Sequence, residues 1–442
     1  MSIQLSDHFN FKRLFKFTLP SVVMMIFTSI YGVVDGFFVS NFVGKTPFAA
    51  VNFVMPVLMI LGAIGFMFGA GGSALIAKTM GEGNPEKAES LFSLFVYVTA
   101  ICGIILAAVS FIFLRPLMSL FGAEGEMLEN CVVYGRIILI ALPFYMLQYE
   151  FQSFFITAQK PHLGLVVTII AGVANMVLDA VFVAVFHWGL IGAAAATAVS
   201  QFLGGIIPLI YFCRKNLSLL RLTKWKYDGK SLLKACTNGS SELMSNISMS
   251  LVSMLYNVQL MKYAGENGIA AYGVLMYVNM IFLAVFIGYS TGIAPVVGYH
   301  YGAENHGELK NLLKKSIIII GCSSLIMFFV AELLGAPLAR LFVGYDASLF
   351  ELTSKAFLIY SFSFLFAGIA IYGSAFFTAL NDGLTSALIS FLRTLVFQVA
   401  AVLLLPLVLG IDGIWYSIVA AELIAAIVTI LFLFIKKKKY QY

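Results

Sequence analysis

The stretch FTLPSVVMMIFTSIYGVVDGFFVSN, residues 17–41, decides how this chain is read. It holds 25 residues and one charged side chain, Asp35. About 20 mostly apolar residues suffice for a helix to cross the hydrocarbon of a bilayer, so this is a membrane span with one acid inside it. Eleven more stretches of the same kind follow, at about 47–77, 90–114, 131–158, 163–186, 190–213, 239–263, 269–300, 314–336, 351–380, 384–408 and 411–435. Turn-forming sequences separate them, among them Gly81-Glu82-Gly83-Asn84-Pro85, Gln159-Lys160-Pro161 and Asn381-Asp382-Gly383. The chain of 442 residues is 61% hydrophobic and 11% charged, against roughly 25% charged in a soluble domain. It carries 41 Phe, too many for its charge to keep in water. The fold expected is an all-α integral membrane protein of twelve helices.

Basic residues set the orientation. With the amino terminus inside, 20 of the 27 Lys and Arg fall on that side and five on the other, namely Lys45, Arg115, Lys262, Arg340 and Lys355. Retention of basic loops in the cytoplasm then places both termini inside, in a multi-pass protein of the plasma membrane. Lys12, Arg13 and Lys16 precede the first span without a small-residue cleavage site, which reads as an uncleaved first helix. The net charge of +6 lies at the edges of apolar runs, so its partner is the bilayer surface and not nucleic acid.

An offset of 221 residues aligns the two halves without a gap. Gly71/Gly292, Gly81/Gly302, Asn84/Asn305, Pro116/Pro337, Ser153/Ser374, Thr157/Thr378, Gly189/Gly410 and Gly192/Gly413 coincide. Six spans per repeat is an even number, so both halves enter the membrane in the same sense and are related by a pseudo-two-fold axis along the membrane normal. The expected organisation is a six-helix lobe over 1–213, a basic cytoplasmic linker over 214–238 and a second six-helix lobe over 239–442.

Enzymatic readings fail on spacing. Gly44-Lys45-Thr46 and Gly229-Lys230-Ser231 resemble the end of a phosphate loop, but the required earlier glycine is replaced by Val39 and Lys224. Gly71-Gly72-Ser73 resembles half a nucleophile elbow and lacks the glycine at 75; small residues for close helix packing explain it better. His8, His162, His187, His300 and His306 sit at span ends or in loops, and the five scattered cysteines suggest neither disulfides nor zinc.

Ionisable residues inside spans cost at least about 2.5 kcal/mol at mid-bilayer and mark function by default. They are Asp35, Arg136, Glu150, Asp179, Arg393 and Glu422, with Glu242 and Glu332 near span ends. Asp35 and Asp179 lie six and seven residues from the outer ends of spans 1 and 5, a depth of roughly 9–10 Å for both. Asn175 and Tyr31 lie one turn below them, and Thr197 reaches the level from span 6. The counterparts in the second half are Val252, Tyr256, Val396, Ala400 and Ile418, as expected if the polar set serves function and not architecture. The alternative is separate acids reaching for headgroups or pairing with Arg136. Arg393 and Glu422 both fall near mid-bilayer, and their counterparts are Gly172 and Gln201; a mutually neutralising pair is expected.

At these residues the chain resembles the multidrug and toxic-compound extrusion (MATE) transporters, leaning to their bacterial MepA-like branch. The likeness runs from Pro20 and Tyr31-x-x-x-Asp35 through Asn175-x-x-x-Asp179 and Thr197, and includes Met80-Gly81-Glu82-Gly83-Asn84 with its partner Tyr301-Gly302-Ala303-Glu304-Asn305. The resemblance implies two six-helix lobes and efflux of organic cations by antiport against H⁺ or Na⁺. It also implies a cation site at Asp35, Asn175, Asp179 and Thr197, with Tyr31 beside it, and no bound cofactor or other metal. Some members have a second acidic site on spans 7 and 10; here Glu242 sits early in span 7 and the apolar stretch of span 10 offers no carboxylate.

Two carboxylates at one depth resist double ionisation, and a proton or a Na⁺ would relieve that. For the drug, the expected residues are Phe53, Met55, Met59, Met249, Met254, Tyr272, Met276, Tyr277 and Met280, whose thioethers and rings adapt to flat cations, although such residues also pack helices. The working expectation is a monomeric exporter of small organic cations. The alternative is a flippase for a lipid-linked precursor, which needs basic residues in the central cavity where only Arg136 and Arg393 are intramembrane.

Overall fold

The computed structural model describes residues 3–442 apart from 217, 225 and 345, and no side chain is described at 40, 41 or 45. Lys45, counted above on the outer side, therefore lies outside the described side chains. The first half comprises α1 (Phe11–Phe38), α2 (Lys45–Gly81), α3 (Pro85–Leu120), α4 (Gly125–Thr157), α5 (Pro161–Asp179), which runs on through a wider turn at Ala180–Val185, and α6 (Gly189–Cys213). The second comprises α7 (Gly229–Gly302), α8 (His306–Val343), α9 (Ala347–Tyr360) running into α10 (Phe364–Ala379), α11 (Gly383–Phe391), α12 (Phe397–Leu409) and α13 (Ile411–Tyr440). Among the described residues eleven helical rods are long and apolar enough to cross a membrane, with α7 counted once.

α7 is two crossings. Gly265 breaks it at φ 63°, ψ −149°, and the rings of Tyr256 and Tyr272 stack with centroids 5.3 Å apart across the break. In a straight helix those residues would be about 24 Å apart, so residues 229–264 and 266–302 form antiparallel arms. That makes twelve crossings, as the hydropathy predicts. Most helices outrun their apolar spans. The first arm of α7 begins ten residues before the expected span because Asp228 caps it, its carboxylate accepting from the Ser231 N–H at 3.1 Å. Residues 229–238 are thus helical where the sequence suggested linker.

The backbone repeats as the sequence does. Left-handed φ values recur at the 221-residue offset, at Gly44 and Gly265, at Gly83 and Glu304, and at Gly189 and Gly410. Packing obeys the same two-fold. A Cβ on Gly81 would strike the carbonyl of Tyr299 in α7, and one on Gly302 would strike that of Lys78 in α2. These contacts are mates, since 78 and 299, like 81 and 302, are 221 apart. Glycine is required here because the two backbones touch.

Both of these glycine contacts lie toward one end of the molecule, the end that carries both termini: Leu5, Phe9, Tyr440 and Tyr442 are buried there in one apolar cluster, against which Met80, Tyr299 and Tyr301 pack. The lobes are sealed at that end. Asn381 reinforces the seal, donating to the Ala74 carbonyl of the first lobe at 3.3 Å and accepting from Asn238 at 2.6 Å. The amino-terminal arm crosses between lobes, with the Phe9 N–H donating to Glu308 at 2.9 Å and Lys315 donating to the Phe9 carbonyl at 2.6 Å.

Candidate functional site

Three helices of the first lobe are drawn together around the carboxylates. Gly172 of α5 lets the rings of Phe27 and Tyr31 press onto its backbone, bringing α1 against α5. Ser200 of α6 donates to the Ala171 carbonyl at 2.8 Å, holding α6 there too. As a result Thr197 Oγ1 donates to Asp35 Oδ1 at 3.3 Å across 162 residues of sequence. Asp179 and Asn175 face Asp35 from α5, and Tyr31 stands one turn below it. Asp179 is fully buried and Asn175 nearly so. Among the described residues the carboxylate oxygens of Asp179 and both amide atoms of Asn175 have no hydrogen-bond partner. The five residues expected to form the cation site are therefore brought together, and no described Lys or Arg acts on either carboxylate. A set of carboxylate, amide and hydroxyl oxygens without a counter-charge suits a proton or a hard monovalent cation.

A sixth residue faces these carboxylates. Tyr134 of α4 is fully buried and faces Thr197, Asp35 and Asp179. It lies nine residues into α4, about 13 Å down the helix. In sequence it falls only three residues inside the apolar stretch expected from 131, shallower than Asp35 and Asp179, so depth along the chain does not single it out.

The expected drug-contacting residues separate into three groups. Tyr272, Met276, Tyr277 and Met280 line one open cavity of about 290 Å³ together with Ser253 and Asn257, between the two arms of α7. Its rim touches α1, where Ser29 donates to the Met280 carbonyl at 3.2 Å. Phe53 and Met55 pack against the core of the first lobe instead, beside Val54 and Leu58. Met59, Met249 and Met254 are exposed and do not line that cavity.

The other charges expected in the membrane lie apart from this site, with Glu242 on the first arm of α7 in the field of Arg393. Arg393 Nε donates to both oxygens of Glu422, at 2.8 and 3.1 Å, forming the expected pair. Arg136 pairs with neither carboxylate of the cation site; its guanidinium lies over the Phe111 ring at 4.8 Å. Glu332 accepts from the Ser361 hydroxyl. Glu150 is fully buried, and neither oxygen has a partner among the described residues.

A sequence profile of the family described as MatE matches residues 20–181 and again residues 243–403. The chain belongs to the MatE family. The double match repeats the internal symmetry, one copy in each half. Similar curated proteins include the "Multidrug export protein MepA" of Staphylococcus haemolyticus (strain JCSC1435), 24% identical over 417 residues, 94% of this chain and 91% of that protein. The protein of the same name from Staphylococcus aureus (strain MRSA252) is 22% identical over 430 residues, 97% of this chain and 94% of its own. Among solved structures, one described as the "Outward-facing conformation of a multidrug resistance MATE family transporter of the MOP superfamily" superposes with a TM-score of 0.92 at 23% identity, covering 97% of this chain and 96% of that one. A MatE chain is a multi-pass membrane transporter and not an enzyme.

Proposed function

We propose that the protein exports small organic cations across the plasma membrane by antiport against H⁺ or Na⁺, working as a monomer by alternating access. The observation that carries this reading is the Asp35–Asp179 pair, Asp179 buried and Asp35 half-buried, without a counter-cation beside Thr197, Asn175 and Tyr134. Charging both carboxylates out of water is costly, and a bound proton or Na⁺ removes that cost. The site can therefore exist in two states, which is what coupling to an ion gradient requires.

The 20 to 5 bias of basic residues supports cytoplasmic termini. With that orientation the glycine-packed seal is the inner gate, and the conformation is outward-facing. The cavity at Tyr272, Met276, Tyr277 and Met280 supplies aromatic and thioether contacts for a flat cation. Multidrug export, named for the staphylococcal relatives, suits such a surface. A flippase for a lipid-linked precursor is less well supported. Its pyrophosphate would need free guanidinium groups, and Arg393 is held by Glu422 while Arg136 lies over Phe111.

The test is efflux of a fluorescent cation from proteoliposomes driven separately by an imposed H⁺ or Na⁺ gradient. Asp35→Asn and Asp179→Asn should each abolish gradient-driven efflux while leaving expression and monodispersity intact. Normal coupled transport by both variants would overturn the proposal.

A further inference from the structure

Below the carboxylates, α4, α5 and α6 line a small, partly open chamber bounded by Gln148, Gln152, Thr168, Gly204 and Pro208 among others. Its volume of about 10 Å³ is close to that needed by the centre of a single water, roughly 10–15 Å³. Its lining is unusually unsatisfied. Gln148 and Gln152 are 5% and 4% exposed, yet Gln148 Oε1 and both amide atoms of Gln152 have no partner among the described residues. A third acceptor comes from the backbone. Pro208 lacks an N–H, so the Gly204 carbonyl, four residues earlier in α6, receives no helical hydrogen bond from it. Gly204 is also what admits Gln148, since a Cβ there would meet the Gln148 carboxamide carbon at 2.5 Å.

The second lobe provides the control. At the 221-residue offset Gln148, Gln152, Thr168, Gly204 and Pro208 become Ile369, Gly373, Ile389, Ala425 and Thr429. There Thr429 packs into the space left by Gly373, and its hydroxyl donates at 2.7 Å to the Ala425 carbonyl, the counterpart of Gly204. The same architecture is thus closed, apolar and satisfied in one lobe, and open, polar and unsatisfied in the lobe that holds the carboxylates. Burying amides without partners is unfavourable, so packing alone does not account for the first lobe.

We infer that the chamber binds one water, held by Gln148, Gln152 and the Gly204 carbonyl. Its role follows from what Gln148 touches. Gln148 lies beside the Tyr31 hydroxyl, and Tyr31 in turn stands in the field of Asp35, one turn away on α1. The water fixes which way the Gln148 carboxamide is turned, and so how Tyr31 presents its hydroxyl toward Asp35. Gln152 is then a positioning residue for the coupling site, acting through the water and not by contact with the ion. No bond is made or broken in this step. The role rests on the cation-coupled reading above; the water site itself does not.

Two variants and two measurements test it. Gln152→Leu removes one partner of the water, and Pro208→Ala restores a helical N–H to the Gly204 carbonyl with a residue that favours the helix. In a structure at a resolution that shows ordered waters, the wild-type chamber should hold one and the Gln152→Leu chamber none. In proteoliposomes the midpoint of efflux against pH should move by about one unit in both variants, the scale of one lost interaction with a titrating site. A dry wild-type chamber overturns the site. Unshifted pH profiles in both variants overturn the positioning role, and Pro208→Ala decides this if Gln152→Leu fails to fold. If the wild type responds to no ion gradient, the coupled reading fails while the density still decides the water.

Discussion

Replacing Arg393 by methionine should destabilise the second lobe more than replacing Glu422 by glutamine, and making both changes should recover most of the loss. The pair is well formed, with Nε 2.8 and 3.1 Å from the two carboxylate oxygens and side chains 14% and 4% exposed. Removing one partner of such a buried pair costs about 3–5 kcal/mol, because the other charge is left without water or counter-ion. At ~1.4 kcal/mol per factor of ten, that is more than about 100-fold in the folded-to-unfolded ratio. The asymmetry comes from Glu242, on the first arm of α7, which also feels Arg393. Glu422→Gln leaves the guanidinium in the field of Glu242, though not paired with it, so its cost should fall below that of Arg393→Met. Arg393→Met leaves two carboxylates and no cation. The double variant Arg393→Met with Glu422→Gln exposes neither problem in full and should lie within about 1 kcal/mol of wild type. Thermal midpoints of detergent-solubilised protein, followed by size-exclusion fluorescence, report the stability order, and ion-driven efflux reports the function. A double variant no more stable than Arg393→Met would refute the pairing argument. One that folds like wild type but no longer couples would place Glu422 in the ion path.

Three further outcomes are expected. Glu150→Met should raise the thermal midpoint and leave efflux unchanged, because Glu150 is fully buried with neither oxygen partnered and an apolar side chain of similar volume suits that space; loss of efflux in a stable variant would give Glu150 a transport role. Asp382, in the turn between α10 and α11, is pushed up by burial, but hydrogen bonds from Tyr440, Thr385 and Lys436 outweigh this and hold its carboxyl below the ordinary value. A carboxylate lowered in the folded state stabilises above its unfolded pKa of about 3.9 and loses that contribution as pH falls through the folded value, so Tyr440→Phe should lower the thermal midpoint at neutral pH by an amount that shrinks below about pH 4. Alanine at Tyr272 or Met276 should reorder resistance among drugs, whereas alanine at Phe53 or Met55 should weaken it uniformly, since the first two line the open cavity and the second two pack the first lobe; minimum inhibitory concentrations across a panel of cations distinguish the two.

The sequence by itself determined the class of the protein, its twelve crossings and its symmetry. Those features depend on local composition and on identities at a fixed offset, and both are readable along the chain: residues 17–41 are apolar whatever they pack against, and Gly81 and Gly302 coincide before any contact is known. Depth was readable too, because a helix rises by about 1.5 Å per residue, and depth placed Asp35, Asp179 and Thr197 together. Arg393 and Glu422 could be paired on the same ground. What depth does not carry is azimuth, the direction in which a side chain leaves its helix once neighbours are packed. That is why Met55 and Met276 looked alike in sequence and separate in space, one against the first-lobe core and the other at the cavity between the arms of α7. Tyr134 joins the cation site only because α4 is turned toward Thr197. The seal between lobes, the amino-terminal arm anchored to the second lobe by Leu5 and Phe9, and the chamber beneath Gln148 are likewise tertiary. Each depends on which backbone a glycine lets approach and on which side chains of neighbouring helices then face one another, and a linear reading fixes neither, because helix rotation and crossing are set by the sum of packing contacts and not by any one residue.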